Sequence, residues 1–226
     1  MQLDFKAREL TVKLVYYGPA LSGKTTNLEA IHRLVAPDAV GRLMTLETRD
    51  DRTLFFDLLP LHLTSSAGLN LRIKLFTVPG QVLHNATRKL VLKGADGTAF
   101  IAASQRSETK ANQVAFVNMQ ENLEENGIDA TTHPLVIQFN KRDLPDAQPD
   151  EEIDRLAARG AEPVYKAVAK RGVGVVETFL GLFDLTLARL EAEHGLSDKF
   201  GVYPVALSRE VRQRLAVTRA PAEVPT

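Results

Sequence analysis

Cysteine and tryptophan are absent from the 226 residues, and methionine occurs three times. Without cysteine there is no disulfide, no thiolate metal site, no palmitoylation and no prenylation. Long apolar runs are missing too: no stretch approaches the roughly 18 residues of a membrane span. The opening Met1-Gln2-Leu3-Asp4-Phe5 has neither the glycine that myristoylation needs nor the apolar core of a signal peptide. An excess of charge of one sign is also lacking. Lys+Arg and Asp+Glu both number 28, for a formal net charge of zero. Nothing here argues for a nucleic-acid surface or an acidic substrate. These absences imply a cytoplasmic protein with no integral membrane segment and no nucleic acid to bind. Any membrane contact would run through a partner or a weak surface contact. What is present, 44% hydrophobic and 25% charged residues, suits one globular domain with a sizeable core and room for an appendage.

The most informative stretch is Gly18-Pro19-Ala20-Leu21-Ser22-Gly23-Lys24-Thr25. It reads G-x-x-x-x-G-K-T, the phosphate-binding P-loop pattern. Its flanks fit. Leu10 to Tyr17 is rich in β-branched and aromatic residues and predicts a strand. Leu28, Ile31 and Val35 recur at helical spacing, so a helix starts near Lys24. Gly18 and Gly23 let backbone N–H groups turn inward around a polyphosphate. The helix start adds unpaired N–H donors and positive dipole. Lys24 is placed for the β/γ-phosphates, and the Thr25 hydroxyl for Mg²⁺. Ala20, Ser22 and Thr26 complete the predicted cradle. The alternative is a glycine-rich turn without a ligand.

Strands and helices alternate along the rest of the chain, which implies a mostly parallel sheet covered on both faces. Residues 43–46 read as a short strand, 54–61 and 69–78 as a hairpin at one sheet edge. Helices are predicted over 82–93, 108–126 and 150–159, and strands over 98–103, 135–139 and 163–168. From Val175 an apolar stripe runs to a stop at Gly195.

A P-loop alone does not choose between ATP and GTP. Asn140-Lys141-Arg142-Asp143 does, at the end of the apolar strand 135–139. Strand C-terminal ends are where α/β sheets bind ligands. Asp143 can accept the N1–H and 2-amino hydrogens of guanine. Adenine lacks that pair and would leave the carboxylate desolvated and unpartnered. Lys141 can lie along the base plane, and Asn140 can tie this corner to the P-loop. Ala169 and Lys170 follow the last strand, where a backbone N–H, that of Ala169, can read guanine O6. The alternative for these four residues is a solvated turn before Pro145. Thr77-Val78-Pro79-Gly80-Gln81 ends the second hairpin strand. Small GTPases carry D-x-x-G-Q there, with the glycine N–H on the γ-phosphate and the glutamine orienting water. Gly80 and Gln81 fit. Thr77 stands where the magnesium-holding Asp is normally found. Asp57 and Glu47 are the candidates to replace it.

With these motifs the sequence resembles the MglA family of bacterial Ras-like GTPases. The residues that carry the resemblance are Val15 to Pro19, Leu21 to Asn27, Arg52 to Asp57, Thr77 to Gln81, Asn85 to Lys89, and Asn140 to Pro145. The Thr-Val-Pro-Gly form is distinctive of that family. The resemblance spans roughly residues 8–194 and implies a GTP/GDP switch of front–rear cell polarity and of gliding or pilus-driven motility. It implies Mg²⁺, effectors bound at a cell pole in the GTP form, and a roadblock-fold MglB dimer that stimulates hydrolysis without inserting an arginine. Arg52 would supply that charge, Thr53 would meet the γ-phosphate and Mg²⁺, and Gln81 would position water. The expected catalytic set is therefore Gln81, Arg52 and Lys24, and the expected metal ligands are Thr25 and Thr53.

The expected architecture is one Ras-like α/β domain over residues 1–195, with about six mostly parallel strands and helices on both faces. Residues 196–226 extend it. There Ser208 can cap a short helix holding Val211 and Leu215, with Arg209, Arg212 and Arg214 as a basic face. So few apolar residues predict a solvated, dispensable tail, disordered over 217–226. His32, His84 and His133 have no metal spacing and suit surface or packing roles. Two rivals stand against the switch. One is a scaffold that holds GTP but barely hydrolyses it, for which Ala20, where the wider Ras-like group has Gly, and Thr77 argue. The other is a P-loop kinase, disfavoured by the guanine-reading corner and by the lack of a lid-like arginine cluster.

Overall fold

The structure, a computed structural model, describes residues 1–46, 56–81 and 84–216. Strand β1 is Gln2–Asp4 and β2 is Glu9–Tyr17. All of β2 is buried except Glu9 and Lys13, so it runs through the middle of the molecule. Its alternation feeds two cores. Leu10, Val12, Leu14 and Tyr16 enter one layer, while Val15 and Tyr17 enter the other.

Helix α1 (Lys24–Leu34) follows, then strands β3 (Met44–Leu46), β4 (Phe56–Thr64) and β5 (Asn70–Thr77). Helix α2 (Asn85–Leu92), strand β6 (Gly97–Ala103), helix α3 (Thr109–Glu125), strand β7 (Leu135–Asn140), helix α4 (Asp150–Ala157) and strand β8 (Val164–Lys166) continue the alternation. Helices α5 (Val175–His194), α6 (Leu196–Phe200) and α7 (Pro204–Ala216) end the described chain.

The sheet order is β3-β4-β5-β2-β6-β7-β8. Pairing is parallel from β5 through β8, and β4 is antiparallel to both β3 and β5. The predicted edge hairpin is therefore β4–β5. Strand β1 pairs antiparallel with Glu9–Thr11 of β2, whereas β6 runs parallel to Leu14–Tyr17. The sheet thus has eight strands among the described residues, against about six expected. The strand absent from the sequence reading is β1, a three-residue piece too short to carry a period-two signal.

Helices α1, α5 and α7 cover one face, through Leu28, Ile31, Phe179, Phe183 and Leu187 among others. Helices α2 and α3 cover the other, through Val91, Leu92, Met119 and Leu123.

The C-terminal extension corrects the sequence reading. Leu196, Val202, Leu207, Val211 and Leu215 are all buried in the α1/α5 core layer. Leu207, Val211 and Leu215 recur every four residues, one stripe of α7, and that stripe faces α5. Ser208 does not cap the helix, which begins at Pro204; its hydroxyl and the Arg212 guanidinium both bond Asp184 of α5. Arg214 pairs with Asp38 at 3.1 Å. Glu210 accepts from the Ser66 hydroxyl at 2.6 Å and its backbone N–H at 3.0 Å, at the turn of the β4–β5 hairpin. The basic face is thus largely spent on partners. The predicted disorder over 217–226 lies outside the described residues.

Candidate functional site

The phosphate loop joins β2 to α1. Gly23 has φ 98, and a Cβ there would meet Asn140 Nδ2 at 2.2 Å, so only glycine lets that amide in. Asn140 Nδ2 then donates to Ser22 O at 2.8 Å, and its Oδ1 accepts the Ala169 N–H at 2.9 Å. One buried side chain thus pins the loop to the ends of β7 and β8. This corrects one expectation: the Ala169 N–H, assigned to guanine O6, is taken by Asn140. The amide oxygen is buried and claims the nearest donor.

A second support was missed in the sequence. Asn27 Nδ2 donates to Gly23 O and to Gln138 Oε1, both at 2.9 Å, and Gln138 Nε2 donates to Thr178 Oγ1 at 2.8 Å. The signal was a glutamine inside the apolar strand LVIQFN: a fully buried polar residue needs a partner.

Lys24 is 7% exposed and folds onto the loop, donating to Pro19 O at 2.6 Å and Gly18 O at 3.1 Å. Burial pushes its pKa down to about 8. Arg88 adds to that, and Asp57 opposes it. The ammonium is therefore a costly charge awaiting an anion. The Ser22 hydroxyl is buried in the same loop with no hydrogen-bond partner among the described residues.

Asp57 lies beside Lys24 and Thr25. Register brings it there: Thr45 of β3 sits opposite Asp57, and Leu58↔Phe76 puts Asp57 next to Thr77. Its Oδ2 accepts from Thr25 Oγ1 at 2.6 Å and from Thr77 Oγ1 at 2.9 Å, and its Oδ1 accepts from Thr45 Oγ1 at 2.9 Å. The Asp57 N–H returns a bond to Thr77 Oγ1 at 2.9 Å. Thr77 thus holds the carboxylate that it lacks. Thr45 was invisible as a site residue, because the short β3 gives no register in sequence. These groups open onto a cavity of about 390 Å³ lined also by Thr26, Pro79 and Gly80.

Gly80 leans on the loop from above. A Cβ there would lie 2.4 Å from Ala20 Cα, so the Pro79-Gly80 turn touches Ala20 directly. Gln81 is exposed and lines the neighbouring cavity with Gly80 and Arg88.

On the other side of the loop a cavity of about 560 Å³ is lined by Gly23, Thr26, Asn140, Lys141, Asp143, Ala169 and Lys170. Asp143 is exposed there, free to receive a ligand. Lys141 has φ 65, an uncommon conformation for a side chain that is found where a site requires it. Leu21, φ 59 and 87% exposed, borders both cavities. Nothing in the loop pattern marks it.

Arg52, Thr53, Glu47 and Arg49, an arginine three residues before Arg52 that could compete for its role, lie outside the described residues. Among those described, no group of His, Asp and Glu has metal-site spacing, and no helix is long and apolar enough to cross a membrane. His133 is buried, with Nε2 2.8 Å from Thr98 Oγ1. Burial first, then Arg189, lowers its pKa to about 4, so it packs as a neutral ring.

No family model matches the chain. A curated protein does: the chain is 47% identical over 189 residues to the mutual gliding-motility protein MglA of Myxococcus xanthus (strain DK1622). The match covers 84% of this chain and 97% of that protein. Identity of that extent, carried on a mostly parallel sheet with a phosphate loop at its centre, shows that the chain belongs to the MglA family of bacterial Ras-like small GTPases.

Proposed function

We propose that this protein is a GTP/GDP switch that controls cell polarity and gliding or pilus-driven motility. The observation that carries the nucleotide reading is the Asn140 clamp. It ties the phosphate loop to the guanine-reading corner, so that one side chain sets the spacing of the two cavities. Gly18, Ala20, Ser22, Gly23, Lys24, Thr25 and Thr26 cradle the phosphates. Asp143 and Lys141, with Lys170 alongside, hold the guanine. Lys24 exchanges two carbonyl oxygens for phosphate oxygens, which are stronger partners of an ammonium.

The donor set beside Lys24 fits Mg²⁺: a hydroxyl and a carboxylate, hard oxygen ligands, on one buried wall. Thr25 and Asp57 would hold it, joined by Thr53 in the GTP form. When bound, the ion neutralises charge on the phosphates. Gly80 N–H meets the γ-phosphate, Gln81 orients water, and Arg52 places its guanidinium on the transferring group.

A roadblock-fold dimer of the MglB kind stimulates hydrolysis, and the GTP form is recruited to a cell pole, where it binds its effectors. The MglA resemblance supports both. The rival scaffold reading loses one of its supports, because Asp57 supplies the charge that Thr77 lacks; its other support is Ala20.

The test is single-turnover GTP hydrolysis with and without a roadblock-fold dimer. The dimer accelerates the unmutated protein. Arg52→Ala keeps GTP binding and loses the acceleration, which elsewhere is worth about 10³–10⁵-fold. Arg49→Ala keeps both. A protein that holds GTP unhydrolysed with the dimer present would be the scaffold instead.

A further inference from the structure

A polar cluster sits between β2, α2 and α3, inside a layer that is otherwise apolar. Tyr17, the last residue of β2, is fully buried, and its hydroxyl donates to Asn118 Oδ1 at 2.6 Å. Asn122, one turn further along α3, places Nδ2 3.1 Å from that hydroxyl and 2.9 Å from Asn85 Oδ1. Asn85 is the first residue of α2. One turn on, Arg88 is 3% exposed and holds its guanidinium carbon 5.9 Å from the Tyr17 ring centroid.

Burial raises the Tyr17 pKa, with Arg88 and Asn122 pulling the other way. The hydroxyl therefore stays a neutral donor at physiological pH.

Apolar contacts such as Val91 and Leu92 tolerate small slides of a helix. A buried hydroxyl bonded to amides does not, because each lost bond leaves a desolvated polar group. The cluster therefore selects one placement of α2 against β2 and α3. Both of its ends matter for the site. Tyr17 immediately precedes Gly18. Helix α2 begins four residues after Gln81, and the His84 N–H donates to Gln81 O at 3.2 Å.

We propose that the Tyr17 hydroxyl, acting through Asn122, Asn85 and Arg88, is a positioning group for Gln81. It sets the distance between the phosphate loop and the helix that follows the water-orienting glutamine. The inference rests on the hydrolytic role given to Gln81 above.

The test compares Tyr17→Phe, Asn122→Ala, their double variant, Gln81→Leu and the control Tyr16→Phe. Tyr16 is its neighbour in β2, but its buried hydroxyl has no hydrogen-bond partner among the described residues and lies in the opposite core layer. Single-turnover GTP hydrolysis, GTP affinity and melting temperature are measured for each. Tyr17→Phe lowers the hydrolysis constant about five- to tenfold, the scale of a small misplacement, and keeps GTP affinity within about twofold. The double variant falls no further than the slower single variant, as coupled residues do. Tyr16→Phe matches the unmutated protein. Hydrolysis by Tyr17→Phe at the unmutated rate, with Gln81→Leu slow, overturns the proposal. So does a loss of affinity and rate together with a lowered melting temperature, which marks a structural role only. If Gln81→Leu itself hydrolyses normally, the catalytic reading of Gln81 fails first and takes this inference with it.

Discussion

At the residue scale the site turns on Asp57 and Lys24. Asp57 stands among three threonine hydroxyls, from Thr25, Thr45 and Thr77, and its charge is the proposed substitute for the Asp that Thr77 replaces. Asp57→Asn keeps the shape and removes the charge. Its GTP and GDP affinities in EDTA should match the unmutated protein, while the gain on adding Mg²⁺ shrinks by about tenfold or more, at least the cost of losing a supporting group at a metal site. An unchanged gain would leave the ion to Thr25 and the phosphates. Lys24 makes a pH prediction. Its pKa without nucleotide is down to about 8, and polyphosphate favours the charged form. As pH rises through about 8 the free protein gives up this proton, so binding must take one up. Affinity for GDP then weakens by roughly tenfold per pH unit above that point. Calorimetry in two buffers of different ionisation enthalpy, at pH 8.5 and 7, reads the uptake directly. Equal proton counts at both pH values would contradict the buried, discharged lysine.

At the element scale, helix α7 belongs to the fold. Three buried side chains on one stripe, with anchors at Asp184, Asp38 and Ser66, join it to α5, to the turn after α1 and to the far end of the β4–β5 hairpin. Leu207→Ala should cost about 2–5 kcal/mol, a fall of roughly 5–15 °C in melting temperature for a domain of this size. Ending the chain before Pro204 should cost more. A truncated protein melting at the unmutated temperature would return α7 to the status of a tail. The sequence misled here for a definite reason. Between Pro204 and Ala216 the apolar positions are diluted by Arg209, Glu210, Arg212, Gln213 and Arg214, and the acidic or hydroxyl partners of three of these lie 28 to 176 residues away. Helix α5, by contrast, was plain from Val175 to Gly195, because its stripe is local and its stop is a glycine. The same distinction separates Asn140 from Thr45. Asn140 sits in a motif of fixed spacing, whereas Thr45 joins the site only through cross-strand register.

At the scale of the whole molecule, the parallel strands β2 and β7 deliver the phosphate loop and the Asn140–Asp143 corner to one edge of the sheet, where α/β folds bind their ligands. The fold class and this pairing of motifs were legible because both rest on short-range patterns. The proposed hand-over of the metal-side carboxylate from β5 to β4 was visible only as Asp57 or Glu47, two candidates with no way to choose between them. Of the support under the loop from Asn27, Gln138 and Thr178, only the buried glutamine gave a signal, since its partners converge from three separate elements. The central claim is that this cleft reads guanine and phosphate together. Asp143 would accept both guanine donors through charge-assisted bonds, and breaking such a pair costs roughly 2–5 kcal/mol. Direct titration of the unmutated protein and of Asp143→Asn with GTP, ATP and xanthosine triphosphate tests it most directly. The expected result is GTP bound far more tightly than ATP by the unmutated protein, and a preference moved to xanthosine triphosphate in Asp143→Asn, whose amide can donate to the 2-oxo group. Equal affinity of the unmutated protein for GTP and ATP would contradict the account.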